Sequence, residues 1–396
     1  MSDDLTKWWK EARFGMFVHW GLPTLLKRGI WVQFWEHIPK DEYAQLVGQF
    51  DPKEYRPSDW VEVAKDAGMK YMVITTRNHD GFCLFDTKTT DFSVMSSPIG
   101  RDLLAEFVEA CHDADMPVGF YYSLQNWRHP GCLTKEVIGP PSYYSELVDE
   151  SHEQIRELMT NYGKISVLWF DGLRPNSAEI WRSDELLESI RQLQPDILIN
   201  NRAGVDGDFS TPENTVIAEN RPWESCYTTN ETWGYAPGDR AWKSPVQLVE
   251  LLASCASGDG NFLLNVPPDT DGRFQNEAVE RLRVVGQWMR TNGEAVYGSK
   301  RAPIAPGNGW ATLLGQNMYI FAKRWSGSTV SFGWIKNRVM SATVLSTGQE
   351  ARIEQIGDRV ILQELPEHAP DPLLPVIKLE LDGVPGLVDP QQVDVL

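Results

Sequence analysis

Ile165-Ser166-Val167-Leu168-Trp169-Phe170-Asp171-Gly172 is an apolar run of strand length that ends in a lone carboxylate, after which Gly172 opens a loop. An apolar run without polar alternation reads as a strand buried on both faces, the kind found in parallel sheets. A carboxylate at the C-terminal end of such a strand does little for stability. In a (β/α)8 barrel that end is where catalytic groups gather. On this segment alone, an Asp capping the next turn accounts for the pattern equally well. The rest of the chain decides between the two.

Working outward, short apolar runs alternate with longer amphipathic ones from about residue 10 to 300. Strands are expected at Phe14–His19, Tyr71–Thr76, Val118–Ser123, Ser166–Asp171, Ile197–Asn200, Thr215–Ala218 and Phe262–Val266. An eighth, weaker in pattern, is expected near Trp223–Tyr227. Helices are expected at Lys40–Gln49, Pro57–Ala67, Asp102–Ala114, Tyr143–Tyr162, Asp184–Gln194, Pro245–Ser257 and Asn276–Thr291. Ser58 is read as the N-cap of the second helix and Gly68 as its C-cap. Strand–helix alternation over this length predicts an α/β fold, a (β/α)8 TIM-like barrel spanning residues 1–300. Beyond residue 300 helical patterns vanish. Short alternating segments follow at Met318–Ala322, Thr329–Phe332, Ala342–Leu345, Arg359–Leu362 and Val376–Leu381. Residues 301–396 are therefore expected to form a small antiparallel β-sandwich.

The 396 residues carry a formal charge of −18, which argues against a nucleic-acid partner, since phosphates would repel it. No apolar run reaches membrane-spanning length, so no membrane partner is expected. The five cysteines, Cys83, Cys111, Cys132, Cys226 and Cys255, are scattered, and no CxxC occurs. They read as reduced thiols. The acidic start Met1-Ser2-Asp3-Asp4 lacks the basic and apolar regions of a signal peptide, and a cytoplasmic location is expected. The 16 Trp offer flat faces of the kind that suit sugar rings.

If the barrel holds, polar residues at the strand ends converge on one cleft. The candidates are His19, Asn78, His79, Tyr122, Trp169, Asp171, Arg202 and Glu213. Two carboxylates, imidazoles, an Arg and aromatic walls are the equipment of sugar hydrolysis, in which one carboxylate attacks or stabilises and the other donates a proton. Rival chemistries lack their signals. His19-Trp20-Gly21 stands where a metal-dependent barrel would carry HxH, and no other cluster suggests a metal. There is no GxSxG elbow and no phosphate-binding glycine loop. No cofactor is implied.

Several motifs, in order, resemble the α-L-fucosidases of glycoside hydrolase family 29. They are Arg13-Phe14-Gly15-Met16-Phe17-Val18-His19-Trp20-Gly21, Thr75-Thr76-Arg77-Asn78-His79-Asp80-Gly81-Phe82, Val167–Gly172, Asp208-Phe209-Ser210-Thr211-Pro212-Glu213, Thr232-Trp233-Gly234-Tyr235, Gly260–Val266 and Asn292–Gly298. The resemblance implies a barrel followed by a β-sandwich, and hydrolysis of terminal α-L-fucosides with retention from a small oligosaccharide or glycoside. It places the nucleophile at Asp171 and the general acid/base at Glu213, with Glu224 of Pro222-Trp223-Glu224 as a rival. It implies sugar contacts from His19, Trp31, His79, Tyr122, Trp169 and Arg202.

Two positions depart from the family's pattern. Gly29-Ile30-Trp31 has Ile30 where the family carries a carboxylate, and Asn78 replaces the first of two adjacent histidines. In the family these side chains bind the sugar near O4. Losing a charge-assisted hydrogen bond costs roughly 1.5–3 kcal/mol toward that hydroxyl. The alternative expectation is therefore a C4-variant or substituted sugar, such as an α-L-glucoside. A non-catalytic sugar-binding relative is the third reading, disfavoured because both carboxylates are present.

Overall fold

The computed structural model describes residues 4–304, 306, 307 and 309–388. Seven strands form one parallel sheet: β1 (Phe14–Val18), β2 (Met72–Arg77), β3 (Val118–Ser123), β4 (Val167–Asp171), β5 (Leu198–Ile199), β6 (Glu224–Thr228) and β7 (Asn261–Asn265). Their order across the sheet is β5-β4-β3-β2-β1-β7-β6. The sheet is buried on both faces, so the strands need no polar alternation. Side chains still alternate in direction. Met16, Met72, Ile74, Phe120, Tyr122, Leu168 and Phe170 meet the surrounding helices. Phe17, Val73, Tyr121, Val167, Trp169 and Leu263 point the other way and pack on each other. Gly15 has the inward parity, and a side chain there would collide with the ring of Tyr71. Its absence lets Tyr71 lie across the interior.

The covering helices are amphipathic, as their patterns foretold. Pro57–Asp66 turns Trp60, Val61 and Ala64 inward, and Leu103–Asp113 turns Leu104, Phe107 and Cys111 inward. Pro245–Ser257 begins with a full capping box between Ser244 and Gln247. Ser58 does not cap its helix. Pro57 occupies the first helical position, which leaves Arg56 as the N-cap. Gly68 follows the helix end with φ +87°, as expected of a terminating glycine.

One expected strand is absent. Thr215–Ala218 has no ladder, and Ile217 is exposed. The segment just before it makes isolated bridges instead. Residues 208–214 carry parallel bridges to both edges of the sheet, Asn200 with Phe209 on one side and Ser210 with Trp223 and Glu213 with Cys226 on the other. Backbone bonds follow the same course, from Asp208 N to Ile199 O (2.7 Å) and from Cys226 N to Pro212 O (3.1 Å). The strand expected near Trp223–Tyr227 is β6.

From Lys300 onward the strands are antiparallel. β8 (Lys300–Arg301), β9 (Trp310–Leu314), β10 (Asn317–Phe321), β12 (Val339–Val344) and β15 (Val376–Leu381) form a five-stranded sheet, order β12-β15-β10-β9-β8. β11 (Val330–Phe332), β13 (Arg352–Ile356) and β14 (Arg359–Gln363) form a second, order β11-β14-β13. Met318 and Ile320 face the core between the two sheets. Tyr319 and Phe321, of opposite parity, face the helices of the first sheet, where Trp288 donates to Leu374 O at 2.9 Å. A parallel α/β sheet followed by antiparallel sheets is the class expected from the sequence. β8, β9 and β13 are additions to that reading. β13 alternates exposed and half-buried positions and packs too lightly to mark itself by hydrophobicity.

Candidate active site

A cavity of about 590 Å³ opens at the C-terminal ends of the parallel strands. Strand parity selects its floor. Phe17, Tyr121 and Trp169 all have the inward direction, and Tyr121 sits beside Trp169 in register, with Ser123 beside Asp171. The rings of Tyr121 and Trp169 stack at 5.8 Å.

Asp171 ends β4 above this floor, its side chain 23% exposed. Gly172 follows at φ +63°, and a side chain there would strike Gln125. The turn lets the backbone NH groups of Leu124 and Gln125 bond the carbonyls of Asp171 and Gly172, each at 2.8 Å. Arg202 Nη1 donates to Asp171 Oδ1 at 3.0 Å, and the Tyr121 hydroxyl donates to Oδ2 at 2.8 Å. Burial alone would raise this carboxyl. The Arg202 charge, the charge that His79 carries only below about pH 4, and the Tyr121 bond outweigh it and hold Asp171 at about 2. It is ionised at neutral pH.

Arg202 comes from the short turn Asn201–Ala203 after β5. Its Nε and Nη2 donate to Thr211 Oγ1 (2.8 Å) and Thr211 O (2.9 Å), and its plane lies 4.6 Å over the Trp169 ring. Nη2 also donates to Glu213 Oε2 at 3.2 Å. One guanidinium thus joins the two carboxylates that sequence reasoning paired. Glu213 is 40% exposed. The dry surroundings expected for a proton donor are not present around it in the open cleft.

Two imidazoles complete the inner wall. His19 Nδ1 lies 2.9 Å from Asn265 Oδ1, and the His19 backbone N donates to the same oxygen. His79 Nδ1 lies 2.7 Å from Ser123 Oγ, whose own hydrogen goes to Gln125 O. Each oxygen acts as an acceptor, which assigns the proton to Nδ1 and leaves both Nε2 atoms bare. Burial lowers both histidines to about 4, so they are neutral at pH 7. Neutral Nε2 atoms accept hydroxyl hydrogens.

Trp31 and Ile30 also line the cavity. Three of the candidate residues do not. Tyr122 points outward and donates to Gln154 Oε1 at 2.8 Å, because its parity is opposite to that of Trp169 and Asp171. Asn78 is 4% exposed and lies off the lining, its Oδ1 without a protein partner. Glu224 is fully buried below the floor. Trp169 Nε1 reaches its Oε1 at 3.2 Å, Trp9 Nε1 reaches Oε2 at 3.3 Å, and the Tyr71 hydroxyl also donates. Burial raises Glu224 to about 7 against the pull of those donors. Lining residues that sequence reasoning passes over include Tyr121, Gln125, Lys135, Arg174 and Trp233. Parity with Trp169 and Asp171 points to Tyr121 once the register of β3 is known.

The family model for alpha-L-fucosidase matches residues 1–294. Among solved structures, alpha-L-fucosidase isoenzyme 1 from Paenibacillus thiaminolyticus is 36% identical, with a TM-score of 0.90 over 96% of this chain and 99% of that one. An alpha-L-fucosidase from Bacteroides thetaiotaomicron, solved as a trapped covalent intermediate with 2-fluoro-fucosyl fluoride, is 26% identical, with a TM-score of 0.88 over 97% of each chain. The plasma alpha-L-fucosidase of Homo sapiens is 28% identical over 408 residues, 92% of this chain and 86% of that protein. Matched along most of its length, in sequence and in fold, the chain belongs to the alpha-L-fucosidase family of glycoside hydrolases.

Proposed function

We propose that this chain hydrolyses terminal α-L-fucosides with retention, with Asp171 as nucleophile and Glu213 as general acid/base. The observation that carries the reading is the Arg202 guanidinium bonded to both carboxylates. Retention needs the two carboxyls about 5–5.5 Å apart, and a shared guanidinium keeps them close. Glu224 has no path to a substrate, since its oxygens are sealed beneath Trp169. We propose further that residues 208–214 act as the eighth strand and close the sheet into a (β/α)8 barrel. Its support is the bridging of that segment to β5 and β6.

In this reading ionised Asp171 attacks the anomeric carbon. Glu213 gives its proton to the departing oxygen. The Asp171 glycosyl ester forms, and the aglycone leaves. Glu213, now a carboxylate, takes a proton from the incoming water, which attacks the same carbon and frees Asp171. Arg202 stabilises whichever carboxylate is charged at each stage. The bare Nε2 atoms of His19 and His79 accept hydrogens from ring hydroxyls. A bound sugar covers Glu213 and supplies the drier surroundings a proton donor needs. The relatives of this chain are α-L-fucosidases, which favours fucose over the C4-variant sugar despite Ile30 and Asn78.

Incubation with 2-fluoro-fucosyl fluoride followed by peptide mapping tests the assignment. Mass added to the peptide carrying Asp171, and release of the α-anomer first from an aryl fucoside, are expected. Label on another carboxylate, or initial β-anomer, overturns it.

A further inference from the structure

We infer that the outer part of the cleft is an aglycone subsite for an anionic sugar, in which Lys135 and Arg174 clasp a carboxylate or a sulfate ester. The inference rests on the fucosidase reading above. The cavity, about 590 Å³, lies in the range of roughly 300–1,000 Å³ that holds ligands larger than one deoxyhexose. Among the described residues its lining carries two carboxylates, Asp171 and Glu213, and Arg202 binds both. Lys135 and Arg174 line the same cavity; neither has a carboxylate within salt-bridge distance among the described residues, and the charge of Lys135 is felt by the exposed neighbour Glu136, which is not part of the lining. The chain has 55 acidic residues against 37 basic ones. The lining thus holds three basic side chains, Lys135, Arg174 and Arg202, against the two carboxylates, a local balance opposite in sign to that of the whole chain and one that favours an anion.

The two cations belong to loops that are tied together. Asn176 N donates to Lys135 O at 3.0 Å, two residues beyond Arg174. The Arg174 guanidinium lies 5.6 Å from the Trp31 ring and 5.7 Å from the Phe34 ring. Contacts of this kind steady the guanidinium and leave in-plane NH donors for an anion. The anion belongs to the aglycone rather than to fucose, because the inner end presents two carboxylates and two bare imidazole nitrogens.

The test compares kcat/KM for one fucosylated disaccharide in three forms, neutral, uronate-bearing and sulfated, with 4-nitrophenyl α-L-fucoside as reference. At low salt an anionic form is expected to exceed the neutral one about tenfold, with the advantage shrinking at about 0.5 M salt. Whether the uronate or the sulfate gains more identifies the source of the anion. Lys135→Gln and Arg174→Gln, both at positions that reach solvent, should each lower the anionic-to-neutral ratio about fivefold. A wild-type ratio of one for both anions overturns the inference. So do variants that lower every substrate alike, which would make the cations general aids to Asp171. Failure to release fucose from the aryl fucoside and from all three disaccharides removes the fucosidase reading instead.

Discussion

Asp171 owes its charge to donors from two neighbouring strand ends, and each can be removed singly. Tyr121→Phe deletes one bond to the carboxylate. The Asp171 carboxyl should rise from about 2, so the acid limb of the pH–kcat/KM profile should move to higher pH, with kcat/KM about tenfold lower. An unmoved acid limb would separate Tyr121 from the charge of Asp171. Tyr122→Phe is the matched control. Its hydroxyl meets Gln154 on the helix side, so kinetics should stay within about twofold while stability falls by about 1 kcal/mol. Glu224 titrates in the opposite sense. Folded, it keeps its proton up to about pH 7, against an ordinary value of 4.5. The stability that proton brings is full below pH 4.5 and is lost as pH rises through 7. Glu224→Gln should therefore flatten the pH dependence of melting between 4.5 and 7, measured by calorimetry across that range. An unchanged slope would mean that another group carries it.

At the scale of elements, what the sequence makes legible follows from how each segment is held. β4 is legible because its unbroken apolar run is too short for a buried helix and stops at Gly172. Its direction is legible too, since Trp169 and Asp171 share a face. The register of β3 against β4 is not. A sequence states which residues of one strand share a side, but not which side its neighbour turns inward, and this is why it points to Tyr122 where the fold presents Tyr121. The segment 208–214 reads as a loop because it carries Pro212, which has no NH to give, and because little of it is apolar. Glu224 is legible as a candidate acid and illegible as a buried one. Its surroundings, Trp9, Tyr71 and Trp169, come from three distant parts of the chain.

For the whole molecule, the two faces of the five-stranded sheet tie the C-terminal strands to the helices of the first sheet. Phe321 lies fully buried in the same apolar core as Trp288, and their rings are 6.4 Å apart. Phe321→Ala should cost about 3–5 kcal/mol. If the two parts are one cooperative unit, calorimetry of the variant will show one transition moved down, rather than an early melt of the C-terminal strands alone. The overall architecture is readable from the change of pattern near residue 300. The shared core is not, because Tyr319 and Phe321 look in sequence like ordinary sandwich residues.

Residues 208–214 hold Glu213 by a few backbone bonds to short partners, while β4 is laddered to β3 along its length. The two carboxylates consequently stand on footings of unequal tolerance. Lengthening or shortening the chain on either side of residues 208–214 would re-site Glu213 and leave the address of Asp171 untouched. Under the roles proposed for them, a lineage built on this plan is free to let the carboxylate at Glu213 wander through the sequence, while the one at Asp171 stays at the end of the same strand.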